Sequence, residues 1–195
     1  MGRWEPNARE RLEQAALELF QERGYAQTTV QEIAARAGLT ERTFFRYFAD
    51  KREVLFWGAG TLQKLIVDAI ADAPEGTPPL DAVAAGLEAA ATMLQPRREH
   101  ARARHALILA DADLRERELH KLASLASAMA DALRGRGVAD LAAVLTAEAG
   151  IAVFKVAFER WIELTKSREL SRHIRASLDE LKAVIDGVGQ TKKNE

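Results

Sequence analysis

The amino-acid sequence predicts an all-α protein in which a three-helix head with a helix-turn-helix is joined to a larger helical domain. Apolar residues recur with the helical period in nearly every segment, and no stretch alternates apolar and polar residues long enough for a strand. Glycine and proline breaks outline about nine helices. Nine of the twelve aromatic residues lie within residues 1–57, whereas the middle of the chain is rich in alanine and leucine. An aromatic-packed head followed by an aliphatic helical domain is the simplest interpretation.

Composition places this chain of 195 residues among soluble globular proteins, since 48% of its residues are hydrophobic and 29% are charged. The net charge of −1 does not indicate a nucleic-acid partner, but residues 36–52 hold five cations and two carboxylates, a local net charge of +3. The absence of cysteine excludes disulfides, thiol catalysis and thiolate metal sites. No apolar run approaches membrane-spanning length and the start is charged, so we expect a cytoplasmic protein with no membrane partner.

The first two helices follow from apolar spacing and from capping residues. Leu12 and Phe20 belong to an apolar stripe with helical spacing, and Gly24 ends this first helix. Thr29 is placed to cap a second helix, and Glu32, three residues later, completes a capping box. We therefore expect a long first helix and a short second one.

A tight turn and a third helix follow directly. Gly38 supplies the positive φ of the turn, and Thr40 is placed to cap a helix from Glu41 to Phe48. The small side chain of Ala34 lets the two short helices approach, so the spacing predicts a helix-turn-helix. An ordinary helix hairpin needs the same glycine and caps. It does not need an exposed basic and polar face, which here carries Arg42, Thr43, Arg46 and Tyr47.

The segments TTVQEIAARAGLTERTFFRYF and DKREVL, within residues 8–56, resemble the DNA-binding domain of TetR-type bacterial regulators. This resemblance implies a three-helix DNA-binding head, a long fourth helix, a larger domain for ligand binding and dimerisation, and no enzymatic activity. The predicted DNA-binding residues are the positions at which that family touches DNA and the remaining exposed residues of the third helix. These are Thr29, Thr40, Glu41, Arg42, Thr43, Phe45, Arg46, Tyr47 and Lys51.

Two of these residues depart from the pattern that the family usually shows. Arg42 stands where glycine is common, and its guanidinium can pair with O6 and N7 of guanine in the major groove. Phe45 stands where a phosphate-binding tyrosine is common, and phenylalanine cannot make that hydrogen bond. Phe45 is left either to pack or to touch a thymine methyl group.

The fourth helix begins at a second capping box, Asp50 to Glu53. Lys51 lies in its first turn, where we expect its ammonium to contact a phosphate rather than only solvent. Aliphatic residues farther along the chain are candidates for the lining of an apolar ligand pocket, although each could equally be ordinary core, and His105 could add an orienting polar group. The candidate ligand-binding residues are Leu62, Leu65, Ile66, Leu87, Met93, His105, Ile108, Met129 and Phe154.

The last two helices are the predicted dimer interface. Apolar residues surround the first of these helices on more than one face, so that one face can pack within the chain and another against a partner. A fully internal helix in a monomer is the alternative. The candidate interface residues are Ala147, Gly150, Phe158, Trp161, Ile174, Leu178 and Leu181.

These patterns together predict three regions and one function. We expect a helix-turn-helix DNA-binding domain in residues 1–52, a helical ligand-binding and dimerisation domain in residues 53–190, and a flexible tail in residues 191–195. The predicted function is a homodimeric transcriptional regulator, commonly a repressor, that leaves a palindromic double-stranded DNA operator when an unknown apolar or amphipathic small molecule binds. No cofactor or metal is expected, because Glu116 and His120 form only a two-ligand pair. A helical protein-interaction adaptor is the alternative.

Overall fold

The computed structural model describes residues 8–163 and 169–187, and within them the chain forms ten α-helices and no strand. The helices, in chain order, are α1 (Ala8–Arg23), α2 (Val30–Arg36), α3 (Glu41–Tyr47), α4 (Lys51–Phe56), α5 (Ala59–Ala71), α6 (Pro79–Leu94), α7 (Arg98–Ala110), α8 (Ala112–Gly135), α9 (Asp140–Glu163) and α10 (Leu170–Ile185). The predicted all-α class is therefore confirmed. The predicted tail, residues 191–195, and residues 188–190 of the second predicted domain lie outside the described residues.

The chain divides into two compact units. The first unit extends to Ala59 and also includes His100–Leu119, while the second comprises Gly60–Glu99 and the chain from His120 onward. The sequence analysis did not predict that His100–Leu119, the corner between α7 and α8, belongs to the first unit. The predicted functional boundary between residues 52 and 53 stays a prediction.

The first unit is built around the apolar stripe of α1, which packs against α2, α3 and α4. Leu12, Phe20, Ile33 and Phe44 are almost completely excluded from solvent in its core. Side chains from α1, α2 and α3 thus form one three-helix core, as the aromatic-rich sequence predicted.

The corner between α7 and α8 adds to this core. Ile108 and Leu114 are buried in the same cluster as the α1 residues. Arg104 fastens the corner to α4, because its Nε donates to the Leu55 carbonyl at 2.6 Å and its Nη2 lies 2.6 Å from a Glu118 carboxylate oxygen. Ile108 was predicted to line a ligand pocket, and its side chain belongs to the core of the first unit. Its role in a pocket stays a prediction.

The fourth helix is interrupted. Trp57 takes an extended conformation and Gly58 has a φ of 89°, so α4 ends at Phe56 and α5 begins at Ala59. The resemblance implied one long fourth helix, and the structure corrects this. Glycine adopts a positive φ without steric strain and is a weak helix former, so Gly58 and Gly60 make this segment a natural place for a break.

The second unit is centred on α6, α9 and α10, which pack against one another pairwise. Gly150 on α9 permits the closest approach, since a Cβ atom at this position would lie 2.5 Å from Cγ1 of Val83 on α6. The Arg98 Nε donates to the Trp161 carbonyl at 2.9 Å and so reaches the last turns of α9. Close packing within the chain therefore accounts for the small residues of α9.

Five residues predicted for the dimer interface are core residues of the second unit. The exposed fractions are at most 6% for Ala147, Trp161, Ile174 and Leu178, and Gly150 is buried as well. Phe158 and Leu181 are half-buried. The five buried residues have little surface for a partner. An apolar pattern on several faces of a helix does not say which face turns inward. The dimer interface of the last two helices stays a prediction.

Two described stretches, Lys51–Ala71 and Asp140–Glu163, are long and apolar enough to cross a membrane by length and composition alone. The sequence analysis found no such run. The first stretch is broken at Gly58, and the second is the central helix of the second unit, with nine residues buried there. Core helices of soluble proteins have the same length and composition, so these stretches are weak evidence for a membrane span.

Candidate nucleic-acid interface

The turn between α2 and α3 has the geometry that the sequence predicted. Gly38 has a φ of 66°, and the Leu39 amide donates to the Ala34 carbonyl at 2.8 Å. The guanidinium of Arg11 on α1 donates to the carbonyl of Ala37, the last residue before the turn. The last carbonyls of a helix have no hydrogen-bond donor within the helix. Here the glycine turn and the Arg11 guanidinium supply donors to them.

Both short helices begin at threonine caps. The Thr29 hydroxyl accepts from the Glu32 amide at 3.2 Å while Glu32 accepts from the Thr29 amide at 2.9 Å, which is the predicted capping box. These hydrogen bonds lower the pKa of the Glu32 carboxyl. The Thr40 hydroxyl accepts from the Thr43 amide at 3.2 Å. The threonines thus fix the start of each helix, which is also where a helix approaches DNA.

The exposed face of α3 consists of residues at helical spacing. Phe44 is fully buried beneath it, Thr43 and Tyr47 are half-buried, and the residues open to solvent are Glu41, Arg42, Phe45 and Arg46. Arg42 has no hydrogen bond or ion pair with any residue in the described part of the chain. The Nη2 of Arg46 donates to the Tyr47 hydroxyl at 3.2 Å. The face therefore presents two cations, one carboxylate and an apolar ring to solvent.

Lys51 is engaged within the protein. Its Nζ donates to the carbonyls of Tyr25, Ala26 and Thr28, at 2.8, 3.3 and 2.9 Å, and lies 4.4 Å from the centre of the Tyr25 ring. Burial lowers the pKa of the ammonium. Because an ammonium has only three N–H groups, the loop between α1 and α2 uses all of them. Contact of Lys51 with a phosphate stays a prediction.

Two other cations of the basic segment are paired with carboxylates. Arg36 donates two hydrogen bonds to Glu22, at 2.9 and 2.8 Å, and this pairing lowers the pKa of the Glu22 carboxyl and raises the pKa of Arg36. Arg52 donates to Asp50 at 3.2 and 2.8 Å. Asp50 is already included in the local net charge of +3, so only the pairing of Arg36 with Glu22 lowers that charge, by one.

Two features of the first unit were not predicted. Phe45 is 55% exposed, whereas the sequence left open whether it packs. An open groove of about 540 Å³ lies between α1 and α2, and its lining includes Arg11, Gln14 and Arg36. None of the predicted ligand-binding residues lines this groove. The residues that line the groove carry charges of both signs and form no sequence motif, so the groove could not be predicted from the sequence.

The predicted ligand-binding residues occupy several environments. Ile66, Leu87, Met129 and Phe154 are buried in the second unit, while Leu62 and Met93 are half-buried and Leu65 is 38% exposed. His105 is half-buried and belongs, like Ile108, to the first unit. The assignment of these residues to a ligand pocket stays a prediction.

The first unit has a three-helix core, and its two short capped helices are joined by a glycine turn. The second short helix presents an exposed basic face. These features define a DNA-binding protein of the helix-turn-helix class. Comparisons with known proteins identify it more closely. Residues 13–56 match a family profile described as "Bacterial regulatory proteins, tetR family", and residues 77–186 match one described as "MftR C-terminal domain". The chain belongs to the TetR family of bacterial transcriptional regulators.

Individual relatives agree with this assignment. The chain is 38% identical over 81 residues to the HTH-type transcriptional regulator TcmR of Streptomyces glaucescens, a match that covers 42% of this chain and 36% of that protein. Its fold is similar to that of FadR from Thermus thermophilus in complex with lauroyl-CoA, with a TM-score of 0.55, 23% identity and coverage of 96% and 97% of the two chains. It is also similar to SmeT of Stenotrophomonas maltophilia in its complex with triclosan, with a TM-score of 0.66, 22% identity and coverage of 97% and 99%.

Proposed function

We propose that this protein is a ligand-responsive repressor of the cytoplasm that binds a palindromic operator as a homodimer and acts by binding rather than by catalysis. The observation that carries the proposal is the exposed face of α3, on which Arg42 has no partner among the described residues. An arginine that is exposed near the start of a capped helix is suited to read guanine in the major groove. Family membership supports the same conclusion.

In vitro selection from a pool of random duplexes tests this proposal. Wild-type protein should enrich a two-fold symmetric sequence whose half-sites are about one helical turn apart. Selection with Arg42→Ala should yield the same sequence with one base position per half-site relaxed. Enrichment of no sequence at all would contradict the proposal and would favour the adaptor hypothesis.

The proposed effector is an apolar or amphipathic small molecule that enters the second unit. The solved complexes of FadR with lauroyl-CoA and of SmeT with triclosan support this class of ligand. Ile66, Leu87 and Met129 give the interior of the second unit the apolar character that such a molecule needs. Lauroyl-CoA and triclosan are therefore the first probes to test.

Titration calorimetry with and without operator tests the switch. A ligand that releases the protein from DNA must bind more weakly when operator is present, by the same factor by which it weakens operator binding. Equal ligand affinity in the two titrations would overturn the switch. The outcome for DNA binding itself would be unaffected, so the two parts of the proposal can fail separately.

The proposed dimer interface is the exposed apolar stripe of α9 together with the end of α10. Leu141, Leu145 and Val156 are 71%, 60% and 43% exposed and lie on the side of α9 away from its buried residues, and Val144, at its edge, is 38% exposed. Val184 and Ile185 at the end of α10 are 59% and 71% exposed. A row of exposed aliphatic side chains on one helix is typical of a surface that a partner covers.

A matched pair of charge substitutions tests this interface. Leu145→Asp should convert the dimer into a folded monomer with much weaker operator binding, because it places a carboxylate in the apolar seam. Leu119→Asp is the control, since Leu119 is 63% exposed but lies outside α9 and α10. Sedimentation of Leu145→Asp as an unchanged dimer would show that α9 does not form the interface.

A further inference from the structure

We propose that Phe45 reads the 5-methyl group of a pyrimidine, normally thymine, in the major groove of the operator. The inference rests on the proposed function, because it assigns a specificity to one residue of the same DNA-binding face. It starts from the exposure of the ring, which is 55%, on a short helix whose other open residues are charged. A single exposed apolar side chain is common on protein surfaces, so exposure alone does not mark a contact. The inference rests on the place of Phe45 on the predicted DNA-binding face of α3 and on what its ring can bind.

The Phe45 ring contacts the core at Phe44. Its centroid lies 5.5 Å from that of the buried Phe44, with the two ring planes at 83° to each other. This is an edge-to-face contact between aromatic rings. Much of the ring is open to solvent and presents apolar surface outward.

The chemistry of the ring narrows what it can recognise. A phenylalanine side chain neither donates nor accepts a hydrogen bond, so it cannot bind a phosphate oxygen or a polar base edge. The one apolar group that a base pair presents in the major groove is the C5-methyl group of thymine, and phenylalanine is among the side chains that contact it. 5-Methylcytosine presents the same group at the same place.

The position of Phe45 beside Arg42 predicts where the methyl group lies. Residues three apart on a helix are neighbours on its surface, separated by about 4.5 Å along the helix axis. Base pairs in DNA follow one another at about 3.4 Å. If Arg42 pairs with a guanine, the thymine read by Phe45 should lie one or two base pairs from it. A guanine and a thymine at this spacing are therefore expected in each half-site.

Deoxyuridine substitution isolates the methyl group, since uracil pairs as thymine does and lacks only that group. Each thymine of the selected operator is replaced in turn in both half-sites, and the dissociation constants of wild-type protein and Phe45→Ala are measured by fluorescence anisotropy. For wild type we expect one position at which the replacement weakens binding about fourfold per half-site, the factor that corresponds to burial of one methyl group. Phe45→Ala should bind the thymine and uracil operators equally well.

A second set of duplexes distinguishes the two sources of the methyl group. At the sensitive position a cytosine–guanine pair should weaken binding, and 5-methylcytosine should restore part of the loss for wild type but none for Phe45→Ala. Thermal unfolding of Phe45→Ala should show a folded protein that is only slightly less stable than wild type, because the variant loses the contact with Phe44. Restoration in both proteins would overturn the assignment of the contact to Phe45.

The outcomes separate this inference from the proposed function. The methyl contact is overturned if uracil at every position leaves wild-type affinity unchanged, or if uracil lowers the affinity of wild type and Phe45→Ala equally. Either result leaves sequence-specific binding intact. An operator without thymine near the guanine would overturn it as well. Failure to select any operator would count against the proposed function itself and against this inference with it.

Discussion

Arg42 on α3 and Lys51 at the start of α4 belong to the same short basic segment, but the structure engages them differently. Arg42 is exposed and has no partner within the described residues. Lys51 directs its ammonium to three backbone carbonyls of the loop between α1 and α2. The comparison teaches that a local count of positive charge overstates what is available to DNA, since cations also hold the head together.

The largest expected effect on stability comes from Lys51. Lys51→Met retains most of the aliphatic stem and removes the ammonium, leaving three carbonyls without their donor. We expect the free energy of unfolding to fall by about 2 kcal/mol, within the range for hydrogen bonds that involve a charged group. Urea denaturation followed by circular dichroism measures this, and Arg42→Ala is the matched comparison, with an expected change within about 0.5 kcal/mol.

Measuring operator binding at several salt concentrations tests the alternative that Lys51 contacts a DNA phosphate. If the ammonium stays on the loop carbonyls, the slope of log K against log salt should be the same for Lys51→Met and wild type. A slope reduced by about two units, one for each half-site, would mean that Lys51 neutralises a phosphate in the complex, as the sequence predicted. If Lys51→Met has unchanged stability and a reduced slope, then Lys51, like Arg42, is available to DNA and does not stabilise the head.

A smaller effect is expected from Tyr25, which packs beneath the Lys51 ammonium. Burial raises the pKa of Tyr25 to about 12 from its ordinary value of 10.0. The raised pKa means that the folded state keeps the phenol proton when the unfolded state has lost it. The stabilisation from this group is therefore fully present below pH 10 and is lost as the pH rises toward about 12.

Titration of phenolate absorbance checks this prediction. The chain has two tyrosines, Tyr25 and Tyr47, so Tyr25→Phe identifies the contribution of each. The step near pH 12 should be missing in that variant, and the fall in stability between pH 10 and 12 should be shallower than in wild type. A folded wild-type protein in which Tyr25 titrates near pH 10 would show that burial does not raise the pKa of this residue.

The helix-turn-helix was largely predictable because its determinants are local. Each cap and the turn depend on contacts between residues only a few positions apart. The structure shows the caps at Thr29 and Thr40 and the turn at Gly38, as predicted. Local signals of this kind are readable without knowledge of the tertiary fold.

Features that depend on distant partners could not be predicted. Lys51 finds carbonyls 23 to 26 residues away along the chain, and the corner His100–Leu119 joins a unit that begins far upstream. The apolar residues of α9 did not show which of its faces turns inward, since Trp161 is buried whereas Leu145 is exposed. Helical periodicity identifies stripes, and only packing decides which of them lies inside.

Operator affinity of the double variant Arg42→Ala, Phe45→Ala tests the central claim most directly. Both side chains are exposed on α3 and neither is part of the buried core, so the variant should be folded and only slightly less stable than wild type. Lys64→Ala, which removes a cation from an exposed position on α5, is the control and should bind the operator as wild type does. We predict that the double variant loses at least about a hundredfold in affinity, given the worth of base contacts in two half-sites. A folded double variant that binds the selected operator as tightly as Lys64→Ala would contradict the account, because it would show that α3 does not read DNA.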